Sequence, residues 1–348
     1  MSTHRRWILP LDQGTSSSRA CLVDADGDGW LDLVVANDLE PNLFFRNNHN
    51  GTFTERGVEA GIAYSNQGKP RAGMGIDTAD TTNSGRESVL IGNNTHEGLG
   101  QFQNDGQGSF TDIADQTGLY GASLPFLTFG VAYVDYDGDG LKDIVTANGH
   151  VNMRAKAETG FAMRMLAFHN DGANRFRECA AALGPALTEE RIWRGLAVGD
   201  IDNDGDPDLL VSTCNGKPAL LRNDGGNTNA WLQVKAIGAG QNREGIGTKV
   251  TVTVGGQRQT GWIRSGSSYC SQSELAAFFG LGSAPQADAV ELLFPSGRTE
   301  VVKGVKARQL IVVQEGKGLV AQGAPGTVEP KLWPQLRRTG GRLAAGRP

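Results

Sequence analysis

A nine-residue acidic pattern returns along this chain, and it constrains the fold more than any other feature. It reads Asp24-Ala-Asp26-Gly-Asp28-Gly-Trp30-Leu-Asp32, then Asp135-Tyr-Asp137-Gly-Asp139-Gly-Leu141-Lys-Asp143, then Asp200-Ile-Asp202-Asn-Asp204-Gly-Asp206-Pro-Asp208. A worn copy, Asp80-Thr-Thr82-Asn-Ser84-Gly-Arg-Glu-Ser88, lies between the first two. The starts at 24, 80, 135 and 200 are 56, 55 and 65 residues apart. A second element keeps phase with the first: Phe45-Arg46-Asn47, Phe102-Gln-Asn104, Phe168-His-Asn170 and Leu221-Arg-Asn223, the first three followed by Phe53, Phe110 and Phe176. Repetition of two features at one period marks a repeat architecture.

Short β-type runs flank each intact copy, among them Leu33-Val-Val35, Thr128–Val134, Ile144-Val145, Gly195–Val198 and Leu209-Leu-Val211. Helical periodicity is nearly absent. Asn, Asp and Gly fill the turns because they tolerate left-handed backbone angles. Small sheets repeating every 50–65 residues read as blades of a β-propeller. The expected fold is all-β, with about four blades over 24–225 as an incomplete ring and a packed β-rich domain over 229–316. An open ring leaves strand edges able to pair with another chain.

If the acidic turn curls, the carboxylates at positions 1, 3, 5 and 9 converge. Position 6 is Gly in every copy, where the chain must bend sharply. Position 7 (Trp30, Leu141 or Asp206) can add a backbone carbonyl. An oxygen-only shell suits a hard cation with six to eight ligands, and Ca²⁺ in particular. Four carboxylates packed together without a cation repel one another. The expected ligands are therefore Asp24, Asp26, Asp28, Trp30 and Asp32; Asp135, Asp137, Asp139, Leu141 and Asp143; and Asp200, Asp202, Asp204, Asp206 and Asp208. An EF-hand would need a bidentate Glu at position 12, but Val35, Thr146 and Val211 stand there, inside strand-like runs. The worn copy keeps one carboxylate of the four and reads as a structural turn without tight metal. The sites at Asp135 and Asp200 are expected to bind best, because the strand supporting the Asp24 loop is in doubt.

The pattern DxDxDGxxD between short strands resembles the FG-GAP or VCBS repeat, as in the integrin α-chain propeller. That resemblance implies Ca²⁺ held in β-hairpin loops of the blades. From Asn229 the repeat stops and β-rich sequence follows: Trp231–Lys235, Thr248–Val254, Val290–Phe294 and Gln309–Val313. Asn242–Val250, Ser265-Gly-Ser-Ser-Tyr269, Phe279-Gly-Leu-Gly282 and Pro295-Ser-Gly-Arg298, in this order, resemble the ASPIC/UnbV domain, which follows FG-GAP repeats in the cartilage acidic protein-like family. The resemblance implies an extracellular or cell-surface, calcium-linked, non-enzymatic module for adhesion or for a protein or carbohydrate ligand. It carries no catalytic constellation. A propeller-based enzyme is the alternative, yet none of the five histidines sits in an HExxH context and no G-x-S-x-G is present.

The ends and the composition exclude further classes. Leu11-Asp-Gln-Gly-Thr-Ser-Ser-Ser-Arg-Ala20 is similar to the opening hairpin of glycerol kinase, but over residues 7–24 alone. Residues 1–23 are accordingly expected to be a fusion segment, with a sugar-kinase remnant as the other reading. MSTHRRWILPLDQG lacks the apolar core of a secretory signal. Residues 317–348, Gly/Pro/Ala/Arg-rich, read as a disordered basic tail. A net charge of −5 creates no field that draws nucleic acid, and no apolar run reaches the 18 or so residues of a transmembrane span. Cys21, Cys179, Cys214 and Cys270 form no zinc or disulfide spacing.

Overall fold

A computed structural model describes residues 18–151 and 161–328. It is all-β, with six separate open sheets among the described residues. The first holds β1 (Ser18–Val23), β2 (Asp32–Asn37), β3 (Leu43–Asn47) and β4 (Phe53–Glu55). The second holds β5 (Ile76–Ala79), β6 (Ser88–Ile91), β7 (Gly100–Asn104) and β8 (Phe110–Asp112). The third holds β9 (Thr128–Val134), β10 (Asp143–Asn148), β11 (Leu166–Asn170) and β12 (Phe176–Glu178). The fourth has three strands only: β13 (Trp193–Gly199), β14 (Asp208–Thr213) and β15 (Ala219–Leu221). Each is an antiparallel meander, so each acidic loop joins the first two strands of a blade.

The blades follow one another through their first strands, with β1 against β5, β5 against β9 and β9 against β13. β9 reads as an almost unbroken apolar run because it is covered on both faces. Apolar clusters fill the gaps between consecutive blades. Val34, Phe44 and Phe102 lie in one, Leu90, Val131 and Phe168 in the next, and Val145, Trp193 and Val211 in a third.

The C-terminal part is a two-sheet sandwich. One sheet has the order β19 (Ala277–Gly282), β16 (Ala230–Ile237), β22 (Gln309–Gln314), β23 (Gly318–Gly323). The other has β18 (Gln257–Trp262), β17 (Lys249–Val254), β20 (Gln286–Leu293), β21 (Thr299–Lys306). The alternation of Val250-Thr-Val-Thr-Val254 puts Val250 and Val252 in the shared core with Leu232, Phe279, Leu292 and Ile311. Gly255 and Gly256, both at positive φ, form the two-residue turn from β17 to β18.

Two expected boundaries move. Ser18–Val23 is the innermost strand of the first blade and not part of a fusion segment, because Val23 is fully buried and β1 pairs along its whole length with β2. At the other end, Gly318–Gly323 pairs with β22 and belongs to the sandwich, not to a disordered tail. The kinase-like sequence up to residue 17 and the basic residues from 329 onward lie outside the described residues.

The two parts are locked together by the segment Arg264–Glu274, which reaches the first strand of every blade. The Arg19 guanidinium lies 4.2 Å over the Tyr269 ring. Ser268 and Ile76 exchange two backbone hydrogen bonds of 3.0 and 3.2 Å. Phe129 packs edge-on against Tyr269, and Val131 N–H donates to Ser268 Oγ. Glu274 N–H donates to the Val198 carbonyl at 2.8 Å. Arg264 inserts between Glu87 and Asp77, forming a close hydrogen bond with Glu87. The motif Ser265-Gly-Ser-Ser-Tyr269 thus packs against the first strands of the first three blades.

Candidate metal centres

The local chemistry of the acidic loops is set by their backbone. In all four copies positions 4 and 6 have positive φ, at Gly27 and Gly29, Asn83 and Gly85, Gly138 and Gly140, and Asn203 and Gly205. Only Gly and Asn adopt that conformation readily. The resulting curl turns the amide of position 6 onto the carboxylate of position 1. Gly29, Gly85, Gly140 and Gly205 donate to Asp24, Asp80, Asp135 and Asp200 at 3.3, 2.5, 3.0 and 3.1 Å.

Position 9 has a second task that the pattern alone does not disclose. Asp32 accepts from the amides of Ala25 and Asn47, Asp143 from Tyr136 and Asn170, and Asp208 from Ile201 and Asn223. One carboxylate therefore closes its own loop and pins the third strand of the same blade. In the three intact copies this bond ties the acidic motif to the Phe/Leu-x-Asn motif. The asparagine side chains reach back in turn, Asn47 to the Leu31 carbonyl and Asn170 to that of Lys142.

Carboxylates converge in the three intact loops. Oxygen atoms of Asp24, Asp26 and Asp28 lie within 4.8 Å of one another, as do those of Asp135, Asp137 and Asp143, and those of Asp200, Asp202 and Asp208. Asp139 joins Asp137 and His169 in a further group. Two buried oxygens, Asp135 Oδ1 and Asp206 Oδ1, have no hydrogen-bond partner. Oxygen-only groups with orphaned buried acceptors are the donor set that a hard cation such as Ca²⁺ takes. Asp206, expected to contribute its carbonyl, also has a buried side chain, with Oδ2 held by Asn227 N–H. In the worn copy the Asp80 oxygens are occupied by the amides of Thr82, Ser84 and Gly85, which fits a plain structural turn.

Burial is the main electrostatic influence on these groups. It raises Asp32, Asp135 and Asp200 to about 6. It raises Asp206 to about 7, with Asp204 adding to the effect. Asp143 is pushed up to about 9, first by burial and then by Asp137, Asp135 and Asp139. Burial thus favours the protonated form of these carboxyls, and a bound cation would favour the ionised form.

Basic side chains at the loops are absent from the sequence reading. Arg46 contacts Asp26 at 2.6 Å, His169 contacts Asp137 at 3.1 Å, and Arg222 approaches Asp202 at 3.7 Å. All three occupy the middle position of Phe/Leu-x-Asn, and each faces position 3 of its own loop. In the worn copy both partners are neutral, Gln103 and Thr82. That covariation within one chain was a signal available in the sequence. The first loop carries more: Lys249 stands 3.6 Å from Asp24 and His49 2.6 Å from Asp28. The first loop is therefore set apart not by its strand but by these basic side chains.

A blade arc with acidic hairpin loops, capped by a β-sandwich, defines an FG-GAP-type repeat protein with a C-terminal accessory domain. The chain indeed carries FG-GAP-like repeats, matched over residues 24–91 and 160–211, and an ASPIC and UnbV domain, matched over 238–320. Cartilage acidic protein 1 of Mus musculus is 28% identical over 304 residues, 82% of this chain and 42% of that protein. Its Homo sapiens counterpart is 28% identical over 287 residues, 77% and 39% of the two chains. The chain thus spans about two fifths of the length of the curated relatives it matches. Among solved structures, an Agrocybe aegerita lectin specific for non-reducing terminal N-acetylglucosamine aligns at a TM-score of 0.34, with 20% identity, over 62% of this chain and 53% of the lectin. The Bacillus licheniformis rhamnogalacturonan lyase PL11 aligns at 0.34, with 13% identity, over 91% and 58%. Among the described residues no helix is long and apolar enough to cross a membrane.

Proposed function

We propose that this chain is a non-enzymatic, extracellular calcium-binding repeat protein that serves as an adhesion or ligand-binding module. The observation that carries the reading is the convergence of three carboxylates in each intact loop, with orphaned buried oxygens at Asp135 and Asp206. The reference to cartilage in the name of its relatives supports an extracellular setting. Asp24, Asp26 and Asp28 would hold one ion, Asp135, Asp137 and Asp143 a second, and Asp200, Asp202 and Asp208 a third. Bound Ca²⁺ would favour the ionised form of carboxyls that burial otherwise drives toward protonation.

The residues around each ion divide the work. Position 1 braces the curl through the Gly amide at position 6, and position 9 ties the loop to the third strand. Binding to the folded state alone adds about 2.7 kcal/mol per site at a hundredfold excess over Kd. Extracellular Ca²⁺ modules work at about 10⁻⁴–10⁻³ M, so the loops suit a millimolar-calcium environment. Thermal melting tests the reading: EDTA lowers Tm, millimolar Ca²⁺ restores it, and Mg²⁺ does so poorly because it demands near-octahedral geometry. Identical melting in EDTA and Ca²⁺ removes the physical basis of the proposal.

A further inference from the structure

The fourth blade lacks a part that the other three share. In those blades a three-residue outer strand, Phe53-Thr-Glu55, Phe110-Thr-Asp112 or Phe176-Arg-Glu178, pairs with the third strand in one register. The aromatic residue faces the motif asparagine, Asn47, Asn104 or Asn170, and the acid faces Phe45, Phe102 or Phe168. Blade four has the third strand, β15, but among the described residues nothing pairs with its outer side. Its equivalent positions are Asn223 for the aromatic and Leu221 for the acid.

The receiving surface is also already formed. Phe110 N–H donates at 2.7 Å to the Ala60 carbonyl of the preceding blade, and Phe176 N–H donates at 2.8 Å to that of Thr117. Each acceptor lies five residues after the acid of its own outer strand and precedes a glycine. Side chains on those glycines would strike the incoming strand: a Cβ at Gly61 would lie 2.4 Å from the Phe110 carbonyl, and one at Gly118 2.5 Å from that of Phe176. Counting the same five residues from Glu178 gives Leu183, followed by Gly184, and a Cβ at Gly184 would meet nothing within 4 Å.

The aromatic ring's place is empty as well. Phe110 and Phe176 both pack into the cluster of the preceding blade. At the corresponding gap between blades three and four lies a cavity of about 350 Å³, lined by Val134, Tyr136, Leu183, Leu187, Leu209 and Leu221 among others. Charge offers one parallel, in blade three. Arg164, four residues before Phe168, holds Glu178 at 2.8 Å. Lys217 stands four residues before Leu221 and is exposed.

We propose that the edge of β15 takes a strand from another protein, an extended segment of the pattern aromatic–x–Asp/Glu. The ring would enter the cavity at Leu183 and Leu187, its backbone would pair with Leu221–Asn223, and its carboxylate would meet Lys217. This is strand addition, in which main-chain pairing gives affinity and a pocket gives specificity. Phe53–Glu55, Phe110–Asp112 and Phe176–Glu178, the outer strands that carry this pattern, are each already paired within their own blade, and the pocket with its exposed Lys217 suits a partner protein that brings another. The inference deepens the binding-module reading but uses none of the acidic loops as ligand.

The test is fluorescence anisotropy of the whole chain with a labelled peptide copying residues 107–114, in millimolar Ca²⁺ and again in EDTA. Saturable binding is expected, weakened at least tenfold when Ala replaces the peptide residue corresponding to Phe110. Ala186→Trp, at an exposed position lining the cavity, should abolish binding while leaving Tm unchanged. Lys217→Glu should weaken the acidic peptide tenfold and favour a peptide with Lys in place of the acid. Binding that persists in EDTA, or in a chain whose melting ignores Ca²⁺, supports this inference independently of the calcium reading. Absence of saturable binding, or indifference to the aromatic residue and to Ala186→Trp, overturns it. So does dimerisation abolished by Ala186→Trp without peptide binding, which would assign the edge to a second copy.

Discussion

Asp143 Oδ1 accepts a 2.8 Å hydrogen bond from the backbone N–H of Asn170, and the same bond links Asp208 to Asn223 and Asp32 to Asn47. It couples the acidic turn to the third strand of the blade, so the ion-binding loop and the blade's hydrogen bonding share one side chain. The carboxylates at position 3 have no such role, and the two kinds of residue should respond differently to substitution.

Asp208→Ala should therefore destabilise the chain even in EDTA, because the amides of Ile201 and Asn223 lose a buried acceptor. An unsatisfied buried donor costs about 1–3 kcal/mol. Asp202→Ala, at an exposed position, should leave the EDTA stability within about 0.5 kcal/mol of the parent. Urea denaturation of both variants in EDTA checks the contrast, and equal losses would contradict the structural role of position 9.

The pH dependence has a contributor away from the loops. Burial raises Asp77 to about 6, against the opposing pull of Arg264 and the amides of Tyr133 and Thr78. A raised carboxyl pKa contributes stability that is full below the unfolded value, near 3.9, and is lost as pH rises through about 6. Asp77→Asn removes this contribution. The Tm of the variant should gain on the parent between pH 4.5 and 7.5 in EDTA, whatever their offset at the acid end. A constant offset would show that Asp77 does not titrate in that window.

How the modules join gives a third expectation. Tyr269 meets Arg19 and Phe129, and its neighbour Ser268 bonds to Ile76 and Val131. Tyr269→Ala should cost about 2 kcal/mol from the lost aromatic and cation–π contacts. Calorimetric scanning should show one transition shifted down. Two separated transitions in the parent protein would mean that the sandwich and the blades fold independently.

Much of this was legible in the residues. The period of the acidic turns revealed the blades, and the missing phenylalanine after Leu221-Arg-Asn223 corresponds to the three-stranded fourth sheet. The glycine at position 6 signalled a sharp turn. The double duty of Asp32, Asp143 and Asp208 was hidden because hydrogen bonds to backbone amides leave no mark on the partner's identity. The role of Ser265–Tyr269 was hidden because it depends on long-range docking against three separate strands, β1, β5 and β9. Ser18–Val23 lies one period before β5, a phase masked in the sequence by the short kinase-like match over residues 7–24. Gly318–Gly323 was misread because glycine-rich composition outweighed the alternation that pairs it with β22.

The cations facing the loops lead to a fourth expectation. Arg46 must leave Asp26 before an ion can take that carboxylate. Half-exposed pairs are worth about 0.2–1 kcal/mol, so Arg46→Ala should tighten the first site by roughly 1.4- to fivefold. Calcium titration of a variant in which this is the sole intact loop measures it. Weaker binding would indicate that Arg46 orients Asp26 for the ion.

Calorimetric titration with Ca²⁺ tests the central claim most directly. The parent chain should bind three ions, the loops at Asp135 and Asp200 more tightly than the loop at Asp24, where Lys249, Arg46 and His49 already face the carboxylates. Asp137→Ala and Asp202→Ala should each remove one equivalent and leave the others intact. Unchanged stoichiometry in both variants, or no calcium heat from the parent, would contradict the assignment of these loops as metal centres.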